Sequence, residues 1–194
     1  MSRRIVVTNH LTLDGVMQAP GGREEDTRGG FTHGGWATAN NDEVMGRKLG
    51  EGMATSAALL FGRRTYEQFH GFWPKQGDNP FTEALNKTQK YVASTTLAEP
   101  LPWENSTLLE GDVPQAVSRL KREDGDDIVI MGSGELIRSL IPHGLIDEYL
   151  LMIHPLVLGT GTRLFDGDAS RSRLRLVDAT PTTKGVILAT YQPA

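Results

Sequence analysis

The chain has no cysteine, which excludes disulfide staples, thiolate catalysis, iron–sulfur clusters and any Cys-ligated zinc site. Long hydrophobic runs are missing as well. No window approaches the roughly 20 apolar residues that cross a bilayer, and no polybasic cluster marks a membrane-surface helix, so no membrane role is expected. The apolar stretch after Arg3 and Arg4 is interrupted at Asn9 and His10, short of signal-peptide length, and a cytoplasmic setting is expected. Positive charge is not in excess: 20 Lys and Arg against 24 Asp and Glu leave a formal net charge of −4. Such a chain has no overall attraction for a nucleic-acid backbone, although a local basic patch can still hold one dinucleotide. The 5 histidines, at positions 10, 33, 70, 143 and 154, lack metal-ligand spacing, and no metal site is expected.

What is present fits one globular domain spanning residues 1–194, with 38% hydrophobic and 23% charged residues. Arg4 to Asn9 reads as a buried strand. From Asp14 to Asn40 there are 7 glycines and no periodicity, which predicts a long functional loop of the lid type. Asn41 to Ser56 predicts a helix capped by Asn40 or Asn41, with Asp42 and Glu43 in its first turn. Ala57 to Gly62 is a strand that hands over to a helix at Arg63 to Phe69, and Tyr91 to Ser94 and Thr107 to Glu110 are further strands. Val113, Ala116, Val117 and Leu120 repeat at helical spacing behind Asp112 as cap. Asp127 to Met131 predicts a strand, Gly132-Ser133-Gly134 a tight turn, and Glu135 to Ile141 a helix stopped by Pro142 and Gly144. Tyr149 to Leu158 predicts a central strand that bends or ends near Pro155. Arg173 to Val177, with Leu inward and Arg outward, pairs antiparallel with Gly185 to Tyr191. The sum is an α/β fold: a mixed sheet of about seven or eight strands with about four helices on its faces.

Three constellations can carry chemistry. Gly62, Arg63, Arg64 and Thr65 stand where a strand becomes a helix, so free N–H groups and two forked cations suit a ribose 2′-phosphate or a pyrophosphate. Two solvated arginines on a turn are the plainer alternative. Gly132, Ser133, Gly134 and Glu135 repeat the strand–glycine–helix pattern, with Ser133 able to cap the helix or donate to a phosphate. An ordinary turn uses the same residues. Asp14, in Thr12-Leu13-Asp14-Gly15, puts a carboxylate at the mouth of the long loop, for substrate N–H groups or for proton delivery, although Asp-Gly is also a common turn. Phe72, Trp36 and Trp73 either wall a pocket or fill a core.

Taken in order, LTLDGVMQAPG, LLFGRRTYEQF, YVAST, DIVIMGSGELIRSL and GLIDEYLLMIHPLVLGTGTRLF resemble the dihydrofolate reductase-like family that includes the reductase domain of bacterial riboflavin biosynthesis enzymes. The likeness spans nearly the whole chain and implies a three-layer α/β domain with a mostly parallel sheet and antiparallel strands at its C-terminal end. It implies NADPH as cofactor, with Gly62, Arg63, Arg64 and Thr65 at the adenosine phosphates, Ser94 and Thr95 near the 2′-phosphate, and Gly132, Ser133, Gly134, Glu135 and Leu136 under the pyrophosphate. It implies Asp14 as the catalytic or substrate-binding acid, a loop closing over nicotinamide, and a homodimer. The expected activity is reduction of a small heterocycle, nearest to 5-amino-6-(5-phosphoribosylamino)uracil reductase. Dihydrofolate reduction and a non-catalytic nucleotide-binding module are the alternatives. Two departures bear on substrate: Trp36 is followed by ATANND in place of a Trp-x-Leu-Pro stretch, and Val16 stands where pathway reductases commonly carry a basic residue.

Overall fold

Ile5, Val7 and Leu11 share one face of β1 (Ile5–Thr12) and are buried, which suits a strand at the middle of a sheet. The computed structural model describes residues 2–54, 56–77, 79–166 and 171–194, and places β1 parallel to both β5 (Asp127–Met131) and β6 (Glu148–His154). On the far side of β5 lie β2 (Ser56–Gly62), β3 (Gln89–Ala93) and β4 (Ser106–Leu108), and beyond β6 lie β8 (Ile187–Pro193) and the edge strand β7 (Leu174–Pro181). Among the described residues the sheet thus has 8 strands in the order β4-β3-β2-β5-β1-β6-β8-β7. The first six in sequence are parallel, and β8 pairs antiparallel with β6 and β7. This is the mixed, three-layer dihydrofolate reductase-like architecture.

Helices cover both faces. Ala116, Val117 and Leu120 of α4 (Val113–Arg122) and Leu136, Ile137 and Leu140 of α5 (Gly134–Leu140) meet Ile5, Val7, Ile128 and Ile130 in one core. On the opposite face Tyr66 of α2 (Arg63–Phe72) and Leu85 of α3 (Pro80–Lys87) pack on Leu59, Phe61 and Val92. Met45 of α1 (Glu43–Ala54) packs on Met152, Val186 and Leu188 farther along the same face. Asp112 caps α4 as expected, accepting from Gln115 N–H at 3.0 Å.

Several expectations need correction. The strand β1 does not stop at Asn9: it continues to Thr12 because its polar side chains find partners, Asn9 on Gly132 and His10 on His154. Neither Asn40 nor Asn41 caps α1; Asp42 does, accepting from Met45 N–H at 3.0 Å. The expected reach of that helix to Ser56 crosses Thr55, which lies outside the described residues, and Ser56 already belongs to β2. Helix α3 was not anticipated, although Asn79 accepts from Phe81 N–H and Pro80 occupies the first helical position. Its last turn is closed from outside by Lys90, fully buried, whose ammonium donates to the carbonyls of Leu85, Asn86 and Thr88 and lies 4.7 Å from the centre of the Trp103 ring. Burial lowers that ammonium to about 8. In β7 the leucine face is inward only at Leu174, which packs against the main core. Leu176 is 51% and Val177 47% exposed, because β7 is an edge strand.

The Asn9 amide exchanges two hydrogen bonds with Gly132, donating to its carbonyl at 3.1 Å and accepting its N–H at 2.7 Å, and the residue is only 4% exposed. Asn9→Leu strands both backbone groups away from water, at about 1–3 kcal/mol each. Urea unfolding is therefore expected to show a loss of about 2–5 kcal/mol, and a loss below about 0.5 kcal/mol contradicts the pairing.

Candidate functional site

Parallel strands deliver all their C-terminal ends to one rim, and an α/β sheet binds ligands outside that rim. The expected residues meet there. Gly62, at the end of β2, donates its N–H to Ser133 Oγ at 3.0 Å, and Ser133 N–H donates to Thr65 Oγ1 at 2.9 Å. The two strand-to-helix junctions are thereby stitched to each other. Gly132 and Ser133 both adopt the left-handed conformation, at φ 57° and 54°. A Cβ on Gly132 would meet the Thr65 side chain at 3.0 Å, so glycine is required there on both counts.

Arg63 and Arg64 project from the first turn of α2 with side chains 38% and 45% exposed. Arg63 pairs with Glu67 at 3.0 Å and Arg64 with Glu135 at 2.7 Å. Exposed pairs of this kind are worth under about 1 kcal/mol and are readily exchanged for a phosphate. Gly62 is in register with Ala93, so Arg63 and Ser94 each follow the end of neighbouring strands; Ser94 Oγ accepts from Thr96 and Leu97 N–H groups, and Thr95 is exposed. The helix terminus, two unburied guanidinium groups and an adjacent hydroxyl fit the phosphates of a dinucleotide.

The second junction is less open. The Ser133 hydroxyl donates to Met131 O and accepts from Gly62, so it neither caps α5 nor is free for a phosphate. Leu136 is turned into the core at 6% exposure. A Cβ on Gly134 would lie 2.6 Å from Met17 Sδ, so the long loop packs directly on this turn. Glu135 remains exposed and bridges toward both Arg64 and Arg28.

Asp14 follows β1 by two residues and is held on every side. Its Oδ1 accepts from Thr12 Oγ1 at 2.6 Å and Leu158 N–H at 3.2 Å, and its Oδ2 accepts from Gly159 N–H at 2.9 Å and Arg163 Nη2 at 3.3 Å. The Thr12 hydrogen bond, with those from Gly159 and Leu158, holds the carboxyl at about 2. A carboxylate that is ionised at neutral pH and has four donors on its two oxygens is not suited to proton delivery. It ties the 158–163 segment to the start of the long loop, and Arg163 Nε adds a bond to Asp14 O at 2.8 Å.

That loop is a built structure. Gln18, 6% exposed, donates to Asp26 O and Arg28 O and accepts from Thr162 N–H, while Trp36 Nε1 donates to Gln18 O at 2.7 Å. Glu25 O receives Gln68 of α2, so the loop touches both helices of the rim. Val16 is fully buried with Ala19 and Phe31, not directed to a ligand.

Two histidines noted in the sequence only for their lack of metal-ligand spacing also meet here. His10 Nδ1 lies 2.9 Å from His154 Nε2, Asn40 Nδ2 lies 3.4 Å from His154 Nδ1, and the Trp36 ring stands edge-on to His154 at 5.2 Å. Desolvation lowers both histidines to about 4, and for His10 the neighbouring His154 adds to it. The available signal was Asn-His inside an otherwise apolar strand. Trp73 instead packs between Phe69 and Phe81, and Phe72 is 53% exposed; neither joins the rim.

The chain is 30% identical over 195 residues to the uncharacterized protein YyaP of Bacillus subtilis, covering 97% of this chain and 94% of that protein. A putative riboflavin biosynthesis protein from Shewanella superposes with a TM-score of 0.73 at 22% identity, covering 100% and 99% of the two chains. A Thermotoga maritima diaminohydroxyphosphoribosylaminopyrimidine deaminase/5-amino-6-(5-phosphoribosylamino)uracil reductase gives 0.65 at 16% identity, covering 100% of this chain and 57% of that one. Enterococcus faecalis dihydrofolate reductase, complexed with NADP(H), gives 0.59 at 14% identity, covering 100% and 99%. These structural likenesses share the fold. The model of the RibD C-terminal domain matches residues 3–188, nearly the whole length, and the chain therefore belongs to the RibD C-terminal domain family.

Proposed function

We propose that the chain is an NADPH-dependent reductase that passes a hydride to a small, flat heterocycle, acting as a cytoplasmic homodimer. The observation that carries this reading is the stitched pair of junctions, which presents Arg63 and Arg64 beside Ser94 and Thr95 on one rim. When bound, NADPH supplies the hydride. The protein's part is to bind, orient and exclude water. Arg63 and Arg64 give up Glu67 and Glu135 to hold the phosphates. The backbone of Gly132 to Glu135 borders the dinucleotide, and the segment from Asp14 to Asn40 covers the reacting end.

Asp14 is in this reading a positioning residue that fixes the 158–163 segment. The uracil reductase named for the Thermotoga protein is the nearest activity of the family. Burial of Val16 leaves the loop without a cation at that position, which favours a ring substrate lacking the ribose phosphate.

Three measurements test the proposal. Fluorescence titration is expected to show NADPH bound more tightly than NADH. Replacing Arg63 and Arg64 together by Ala should weaken NADPH by about 10- to 100-fold while changing NADH by less than about threefold; equal losses remove the 2′-phosphate role, and no binding of either nucleotide overturns the cofactor reading. Asp14→Asn is expected to lower unfolding stability by about 1–3 kcal/mol through the lost charge-assisted bonds, with NADPH affinity kept within about twofold. A pronounced loss of NADPH affinity without loss of stability would place Asp14 on the ligand instead. For the dimer, the exposed Leu176 and Val177 of β7, with Ile187 of the neighbouring β8, mark this edge of the sheet. Light scattering should give twice the chain mass for the wild type and the monomer mass for L176D/V177D, whereas a monomeric wild type refutes the assembly.

A further inference from the structure

The substrate side of the rim is carried by β1. Residues alternate along that strand, so Val6, Thr8, His10 and Thr12 share the face opposite to Ile5, Val7 and Leu11. On this face α2 covers β2 and β3, and α1 covers β6 and β8. Thr8 and His10 lie on the strip between them and are only partly buried. His10 is also level with the Gly132-Ser133 turn, two residues past the Thr8 and Met131 pair.

The hydrogen-bond chain around His10 has a direction. With the Asn40 amide nitrogen taken as the donor over 3.4 Å, His154 Nδ1 is the acceptor and the proton of His154 is on Nε2. That proton points at His10 Nδ1, which must accept it. The proton of His10 is then on Nε2. Among the described residues Nε2 of His10 has no hydrogen-bond partner, yet it is not among the buried side-chain atoms that lack one. It therefore keeps some accessible surface. His154 is 0% exposed, with the Trp36 ring edge-on to it, so the relay behind His10 is fixed while its outer N–H is free. Among the described residues no carboxylate hydrogen-bonds to either ring, and burial keeps both neutral.

We propose that His10 contacts the reducible ring directly, donating Nε2–H to a ring carbonyl oxygen or imine nitrogen, and that His154, Asn40 and Trp36 are positioning residues that set its tautomer and plane. This rests on the reductase reading for the identity of the ligand, but not for the tautomer. It narrows the substrate class to uncharged flat heterocycles that present an acceptor atom toward β1. Asp14, with its oxygens filled, does not compete for that role.

The test uses the full chain labelled with 15N-histidine, its ring signals assigned by single His→Phe variants, and 5-aminouracil as probe in the presence of NADP+. At neutral pH His10 and His154 are expected as Nε2–H tautomers, and the probe should shift the His10 Nε2 signal. Its Kd should rise about five- to tenfold in His10→Phe and return to near wild type in His10→Gln, which keeps an N–H donor. His154→Phe should retain NADP+ affinity while mixing the His10 tautomers. An Nδ1–H tautomer at His10, no response of Nε2 to saturating probe, or equal probe affinity in His10→Phe each overturns the proposal. Failure of NADP+ to bind, read from its own titration, overturns the reductase reading and leaves the tautomer result to decide the role of His10.

Discussion

Everything at the rim depends on Ser133 standing in a conformation that non-glycine residues rarely adopt. Its left-handed backbone turns the N–H to Thr65 Oγ1 and its hydroxyl between Gly62 N–H and Met131 O, so one residue closes three hydrogen bonds across two junctions. A strained non-glycine residue of this kind costs about 1–3 kcal/mol and persists only where its surroundings over-determine it. Asn9 supplies the adjoining constraint from β1 by gripping both backbone groups of Gly132. Three neighbouring strands of the sheet, β2, β5 and β1, are thus tied together at the ends where a ligand would lie.

This arrangement explains why the sequence reveals some parts of the site and hides others. Gly62-Arg63-Arg64-Thr65 and Gly132-Ser133-Gly134 were legible as strand-to-helix junctions because glycine punctuation and the change of hydrophobic period are local signals. Most strands and the helix behind Asp112 were legible for the same reason. The stitching was not, since Ser133 and Thr65 are 68 residues apart and nothing local pairs them. The interior direction of Leu136 was legible, since it shares one helical side with Ile137, Leu140 and Ile141. The outward face of β7 escaped because alternation of Arg and Leu fixes which residues share a face, not whether another layer covers it. Helix α3 was the reverse case: its signal, Asn79 followed by Pro80, was present and local, and went unused.

The Asp14 site shows how distant partners, invisible in the sequence, bear on the chemistry open to a carboxylate. Sequence places an acid at the mouth of the loop, and the structure keeps it there. Its role is decided by partners about 145 residues away, Leu158, Gly159 and Arg163. A carboxylate facing two backbone N–H groups and a guanidinium is held as an anion, and an anion with no spare acceptor capacity is a fastener. The loop it fastens is organised around Gln18, so the covering segment has its own polar core and a fixed shape over the rim.

In the proposed reductase, with Asp14 engaged by the 158–163 segment, recognition of a reducible ring passes to neutral donors. A buried imidazole pair is well suited to that task, because desolvation keeps both rings uncharged and the chain Asn40–His154–His10 leaves one outward N–H with a defined direction. On that proposal the cofactor and substrate ends of the rim work by different physics. The exposed arginines of α2 would trade Glu67 and Glu135 for a phosphate in water, where charge does most of the selecting. At β1 the selecting group is uncharged and its partners are buried, so discrimination comes from whether an acceptor atom meets Nε2–H or leaves it unpaired, and a missing partner there costs more than in water.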